Sequence, residues 1–288
     1  MEQVKISIVT IVKNSFDKIE HTMQSVLQQT FSDFEYIIKD GMSNDGTLDK
    51  ISEIIEKYPQ KNIQLISSMD KGIYDAMNQS VAYCNGKWVI FINSGDAFYS
   101  SVVLENVFMK ESEFCHAGVL YGDAIVRDDA EDMVWRADIS LIKKKMPFCH
   151  QSCFIKRNIL LRFPFDTKLK IAADYNNILD MYSNDIIFYL TGVIISIFEL
   201  TGISTTNFVD KYKEKNEVIS SHGYKSDRGV CFLTGLFIQY CKESIQRRVP
   251  ESIHTRIRKM YKIYVKKYSH IPDCGVVRKG IHEDIIYY

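Results

Sequence analysis

The chain has 288 residues, of which 46% are apolar and 25% charged, and its 36 basic side chains balance 36 acidic ones. This is the composition of a soluble globular protein, long enough to bury a sizeable core in one α/β domain plus a C-terminal extension, or in two small domains. The neutral balance excludes the global positive field that would argue for nucleic acid as a partner.

The first hundred residues alternate between two periodicities. Lys5 to Val12 is a strand-like apolar run, and Phe16 to Gln28 carries Ile19, Met23, Val26 and Leu27 at helical spacing, with Ser15 expected as its cap. A strand over Phe34 to Lys39 follows, then a helix near Leu48 to Lys57, capped by Thr47 and turning Ile51, Ile54 and Ile55 inward. A strand over Ile63 to Ser67, a helix near Ile73 to Cys84 and a strand over Lys87 to Ile92 complete the series. Repeated β-α units of this length predict a doubly wound, mostly parallel, Rossmann-like α/β sheet. Beyond it, Val119 to Val126 reads as a strand, Asp128 to Asp132 as an acidic solvent-facing turn, and Ile171 to Asn176 as helix. The longest apolar run, Ile186 to Phe198, is interrupted at Thr191 and Gly192; it is too short to span a membrane and predicts two buried strands joined at a glycine turn. From about Gly229 the pattern is helical, split by Pro250. Seven scattered Cys, with no signal peptide before the first strand, predict reduced thiols and a cytoplasmic protein.

Three polar turns follow apolar runs, at the strand ends where open α/β sheets place ligand chemistry. Asp40-Gly41-Met42-Ser43-Asn44-Asp45-Gly46-Thr47 reads equally as a β-turn entering a helix and as a nucleoside site whose Asp40 carboxylate accepts from a base. In Asp70-Lys71-Gly72, Lys71 beside a flexible glycine suits a phosphate, with Asp75 and Asn78 on the next helical turn; the alternative is a capped amphipathic helix with a solvated lysine. Asn93-Ser94-Gly95-Asp96 ends in a carboxylate suited to Mg²⁺ or Mn²⁺, because a diphosphate leaving group needs neutralising and hard cations prefer oxygen ligands. A later constellation holds His150 and Gln151 between Phe148 and Phe154, and Asp174, a candidate general base. Cys149 and Cys153 flank His150 without a second ligand pair, so zinc is not expected, and neither G-x-G-x-x-G nor a Walker motif occurs.

Ser7-Ile8-Val9-Thr10, the Asp40 to Thr47 and Asp70 to Asn78 turns and Asn93 to Asp96, continued by His150-Gln151, Ala173-Asp174-Tyr175 and Gly202 to Asn207, form one ordered set. Together they resemble the family 2 glycosyltransferases of GT-A fold, in the branch that makes bacterial surface polysaccharides such as colanic acid and O-antigen. The likeness covers roughly residues 4 to 210. It implies a GT-A domain over 1–210, with a nucleotide-sugar half (1–100) and an acceptor half (101–210), and a basic helical extension over 211–288. By position it implies that Thr10 and Asp40 contact the nucleoside of a UDP-sugar, and that Asp70, Lys71 and Asn78 lie near ribose, diphosphate or donor sugar. Asn93 and Ser94 would line the same site, and His150 and Gln151 would face the acceptor. Asn93-Ser94-Gly95 occupies the place of the family's metal-binding D-x-D, so the implied Mn²⁺ or Mg²⁺ falls to Asp96. Asp174 matches the family's catalytic base, with Ala173 where a Glu is common, and Met42 replaces a small residue of the family's first turn.

The implied reaction is inverting, metal-assisted transfer to a glycan acceptor or to an undecaprenyl-diphosphate-linked one. A second reading, motivated by the missing aspartates at Asn93 and Gly95, is a non-catalytic nucleotide-sugar or carbohydrate-binding subunit of a glycan assembly complex; it would show affinity without turnover. A nucleotidyltransferase would need a phosphate-activating loop near the N-terminus, and none is visible. Thr255 to Lys267 interleaves Arg256, Arg258, Lys259, Lys262, Lys266 and Lys267 with apolar and aromatic residues. That pattern suits peripheral attachment to an anionic membrane surface and packing on the core alike.

Overall fold

The computed structural model describes residues 4–127, 132–199 and 208–225. Its N-terminal half is a four-stranded parallel sheet of β1 (Ile6–Val12), β2 (Phe34–Asp40), β3 (Ile63–Ser67) and β4 (Trp88–Phe91), in the order β3-β2-β1-β4. Helices α1 (Ile19–Leu27), α2 (Thr47–Glu56) and α3 (Ile73–Val81) make the crossovers. Strand residues of opposite parity feed two cores. Ile6, Ile8, Tyr36, Ile38 and Ile90 pack with Ile19, Met23, Ile51 and Ile54 of α1 and α2. Val9, Ile37, Val89 and Phe91 pack with Met77 and Val81 of α3. Burial on both faces is why these strands read as unbroken apolar runs.

The second half is mixed rather than parallel. After β5 (Ala97–Phe98) and α4 (Val103–Phe108) come β6 (Val119–Arg127), β7 (Asp132–Trp135), β8 (Cys153–Lys156), α5 (Arg157–Arg162), α6 (Ala173–Ser183), β9 (Phe188–Glu199) and α7 (Phe208–Ser221). Strand β8 pairs antiparallel with both β4 and β6, β9 runs parallel to β6, and β5 and β7 add antiparallel edges. The full sheet is therefore β3-β2-β1-β4-β8-β6-β9-β5, with β7 on β6.

Several local expectations are corrected. The apolar run Ile186 to Phe198 holds one strand, not two: Gly192 at φ +71 marks a bulge that shifts the β6 register from Tyr121↔Leu190 to Asp123↔Ile194. Ser15 does not cap α1 with its side chain; its carbonyl accepts from Lys18 and Ile19 N–H, both at 3.0 Å, and Lys18 takes the cap position. Thr47 is the first residue of α2 and is itself held by Asp45 Oδ1, which accepts from its N–H at 3.1 Å. The boundary expected at 210/211 falls inside α7, which buries Val218 and Ile219 in the α6 core. Among the described residues, no helix is long and apolar enough to cross a membrane, and Cys84, Cys115, Cys149 and Cys153 are free thiols. The helical pattern beyond Gly229, the basic Thr255 to Lys267 segment, Gly202 to Asn207 and most of the acidic turn lie outside the described residues.

Candidate active site

The C-terminal ends of β1, β2 and β4 lie side by side, so the turns that follow them share one edge. Asp40, last in β2, is wholly buried. Its carboxylate accepts from Ser43 N–H at 3.1 Å, from the Ser43 hydroxyl and from Ser67 Oγ at 2.7 Å. It closes the 40–47 turn, in which Met42 takes the left-handed φ of 63°. Beside it lies a residue that motif reading passed over. Lys39 is buried, with Nζ donating to the Ser68 and Asp40 carbonyls at 2.6 and 3.1 Å and pairing with Asp70 at 3.4 Å. The signal was a cation inside an apolar strand, which needs partners this complete. Asp70 also accepts from Gly72 N–H at 3.0 Å, and Lys71 extends into solvent from the same turn.

Two expected nucleotide contacts point elsewhere. Thr10 is wholly buried; its hydroxyl donates to the Ile92 carbonyl at 2.7 Å and bonds to Tyr36 OH at 2.9 Å, so it fastens β1 to the turn after β4. Asn78 is corrected on the same ground. Its amide donates to the Phe165 carbonyl and accepts from the Phe165 N–H, both at 2.9 Å, so the side chain is committed to the backbone of Phe165.

At the turn after β4, Asn93 Oδ1 and Ser94 Oγ are buried without a hydrogen-bond partner among the described residues. Thr22 of α1, also missed, holds this turn: its hydroxyl accepts from Gly95 N–H at 3.0 Å and donates to the Asp96 carbonyl at 2.8 Å. A polar residue on the buried stripe of α1 was the available clue. Asp96 is buried, and burial pushes its carboxyl up to about 7, against hydrogen bonds from the Glu199 N–H at 3.4 Å and Gln151 Nε2 at 3.0 Å.

A divalent ion on a diphosphate is held by one or two carboxylates plus the phosphates. By the resemblance, Gly95 falls at a carboxylate of the D-x-D motif, and a Cβ built there would meet Lys18 Cδ at 3.3 Å, Glu199 Oε2 at 3.8 Å and Lys18 Nζ at 3.9 Å. That space already holds a cation, because Lys18 Nζ pairs with Glu199 at 3.2 Å. Both oxygens of Asp96 face N–H donors, and no group of three His, Cys, Asp or Glu gathers among the described residues. The residues present do not fit a resident Mn²⁺ or Mg²⁺ at Asp96.

Across the cleft, His150 is buried between Phe91, stacked at 5.6 Å, and Phe165, edge-on at 5.6 Å. Its Nε2 has no partner among the described residues. Burial lowers its pKa, opposed by the nearby Asp174 carboxylate. Gln151 does not face outward: its amide bridges Asp96 and Cys149 Sγ, the latter at 3.0 Å. Asp174 sits in the first turn of α6, where the helix dipole favours a carboxylate. It accepts from Tyr175 N–H at 2.8 Å, with Tyr74 OH at 3.5 Å, and burial together with the Asp174 charge keeps that phenol protonated. Glu214 of α7 braces the approach to α6 by accepting from Lys170, Ile171 and Ala172 N–H at 3.0, 2.8 and 2.9 Å. Nothing in the local sequence around Glu214 announces that role.

The family model described as glycosyl transferase family 2 matches residues 7–166, which takes in both sides of this cleft up to His150 and Gln151. The chain belongs to that family. A relative from Mycobacterium bovis BCG, described as a PGL/p-HBAD biosynthesis glycosyltransferase, is 30% identical over 192 residues, 66% of this transferase and 74% of the relative. Residues 1–349 of S. aureus TarS, solved with UDP-GlcNAc, superpose with a TM-score of 0.60 at 19% identity, covering 93% of this chain and 82% of that one. The Pyrobaculum calidifontis mannosyltransferase PcManGT, solved with GDP-Man and Mn²⁺, gives 0.58 at 15% identity, with 76% of this chain and 62% of that one covered. These likenesses establish the GT-A fold for the transferase. Its sheet, parallel through β4 and mixed thereafter, is the α/β architecture expected.

Proposed function

We propose that this transferase moves a sugar, by inversion, from a nucleotide-sugar to a hydroxyl of a glycan acceptor carried on undecaprenyl diphosphate, in bacterial surface polysaccharide synthesis. The observation that carries the reading is the pair of buried, unpartnered oxygens Asn93 Oδ1 and Ser94 Oγ, linked to Asp174 through Asp96, Gln151 and His150. A buried polar group left unmade costs about 1–3 kcal/mol, which donor hydroxyls or phosphates would recover. The solved relatives with UDP-GlcNAc and GDP-Man support a nucleoside diphosphate sugar, and the Asp40 turn suits uridine first.

Asp174 takes the acceptor hydroxyl's proton as that oxygen bonds to the donor's anomeric carbon. The bond from that carbon to the diphosphate oxygen breaks on the opposite face, and the nucleoside diphosphate leaves with the electron pair. His150 Nε2, unpartnered beside Asp174, orients a sugar hydroxyl, and Lys71 meets the diphosphate from the edge of the cleft. Asp40 and Thr10 serve the nucleoside indirectly, by fixing the turns around it. The donor half runs through residue 100 and the acceptor half through α7; the basic stretch Thr255 to Lys267 attaches the cytoplasmic enzyme to the anionic inner face of the membrane. Sedimentation with liposomes that is indifferent to anionic lipid would refute that attachment.

The test is Asp174→Asn in the full chain, after a nucleotide-sugar screen by thermal stabilisation. General-base help is worth about 10²–10⁴ in rate, so the variant should bind donor as wild type and lose that much transfer. Full turnover in the variant sinks the assignment; donor affinity without turnover in the wild type returns the non-catalytic binding subunit.

A further inference from the structure

The departure at Gly95 removes a carboxylate from the place where the family motif has one, and the same position receives a lysine. Thr22 is bolted to the turn through Gly95 N–H and the Asp96 carbonyl. Lys18 precedes Thr22 by four residues at the head of α1, and side chains so spaced share one helix face. Anchoring Thr22 therefore delivers Lys18 to Gly95, its Nζ 3.9 Å from the built Cβ. Glu199, at the end of β9, fixes the ammonium at 3.2 Å from the other side. The pair is not sealed in: the Lys18 side chain keeps 43% of its exposure and Glu199 31%, so an incoming anion can reach the ammonium. Gly95 itself has φ +101, a left-handed conformation that disfavours any residue with a side chain. Backbone and neighbours thus agree that no carboxylate belongs there.

We propose that Lys18, held by Glu199 and admitted by the glycine at position 95, supplies the positive charge for the donor's diphosphate, so that nucleotide binding needs no divalent ion. The inference rests on the nucleotide-sugar reading of this cleft. An ammonium is a compact point charge and an established type of phosphate contact, and here it is preorganised by a carboxylate and a helix anchored at Thr22. Gly95, which the ammonium faces, directly follows Asn93 and Ser94, whose side-chain oxygens are unpartnered among the described residues. Glu199 serves as its positioning residue: it stops the flexible lysine from wandering and keeps the pair neutral until the diphosphate arrives.

The experiment is calorimetric titration of the full chain with UDP and with GDP, in EDTA and again in Mn²⁺. Lys18→Gln, Lys18→Arg and the parent nucleosides are the comparisons. One of the two nucleotides should bind in EDTA with an affinity within about threefold of that in Mn²⁺. Lys18→Gln should weaken it about tenfold or more, the size of one lost charge-assisted hydrogen bond. Lys18→Arg should retain most of the affinity, and the nucleoside should bind wild type and Lys18→Gln alike, which also certifies that the variant is folded. Nucleotide binding abolished by EDTA and restored by Mn²⁺ would overturn the inference and leave the transferase reading standing. Unchanged affinity in Lys18→Gln would do the same. Binding of neither nucleotide under either condition would instead bring down the donor-site reading beneath it.

Discussion

Asn78 separates two accounts of the cleft. By resemblance it lies near ribose, diphosphate or donor sugar; by geometry it clamps the backbone of Phe165 with a donated and an accepted bond, both at 2.9 Å. Phe165 is buried, stacked on Tyr74 at 5.9 Å and set edge-on to Phe91 and His150, so the clamp fixes the floor between the two halves of the site. Asn78→Ala removes both bonds, each worth about 0.5–1.5 kcal/mol net, and strands a buried N–H and C=O whose combined penalty brings the total to roughly 2–4 kcal/mol. For a domain of this size that is a fall of about 5–10 °C in melting temperature. Asn78→Asp keeps the acceptor but turns a carboxylate oxygen toward the Phe165 carbonyl, and should lose at least as much as one bond. Thermal melts of both variants, with nucleotide titrations alongside, check the account. Unchanged melting combined with nucleotide affinity weakened about tenfold or more would refute it and restore Asn78 to the donor.

Two further outcomes follow from the same reasoning. Asp96 has its carboxyl raised from 3.8 to about 7, so the folded chain holds this proton more tightly than the unfolded one. The stability this contributes is complete below about pH 4 and is lost as pH rises to about 7. Asp96→Asn has no such proton, so wild-type melting should fall relative to the variant between about pH 5 and pH 7; parallel curves would refute the buried acid. Gly86→Ala would place a Cβ 2.4 Å from Ser7 N and 2.6 Å from Ile6 C, backbone that cannot swing aside. Urea unfolding should show a loss of about 1–3 kcal/mol or more, with nucleotide binding by the folded fraction unchanged.

The β-α alternation was legible through β4 because each strand is covered on both faces and each helix carries one apolar stripe, so period alone separates them. Beyond β5 that logic fails. Nothing in the spacing of Val119 to Val126 or Cys153 to Lys156 says that β8 slips antiparallel between β4 and β6, since strand order depends on partners far apart in sequence. The Gly192 bulge deceived for a related reason: a glycine with positive φ serves a turn between strands and a bulge within one equally well, and only the register on β6 decides.

The site divides along the same line. Asp40, Asn93, Ser94, Asp96, His150 and Asp174 were singled out as polar residues at strand or helix ends. Whether a polar group there faces ligand or fold is settled by what lies across the chain from it. Thr10 is closed by the Ile92 carbonyl, Gln151 by Asp96, Asn78 by Phe165, and these partners lie 82, 55 and 87 residues away. Asn93 Oδ1, Ser94 Oγ and His150 Nε2 have no such closure among the described residues. A motif therefore marks where ligand chemistry can sit, and the unmade hydrogen bonds mark which of its atoms are left for a ligand. At Gly95 the two criteria part: the motif marks a metal position, while the space beside it holds Lys18 and Glu199 already paired. The groups a diphosphate would meet at this edge are then the Lys18 ammonium and the Ser94 hydroxyl, which offer charge and one donated hydrogen bond, while Asn93 Oδ1 is an acceptor suited to a sugar hydroxyl.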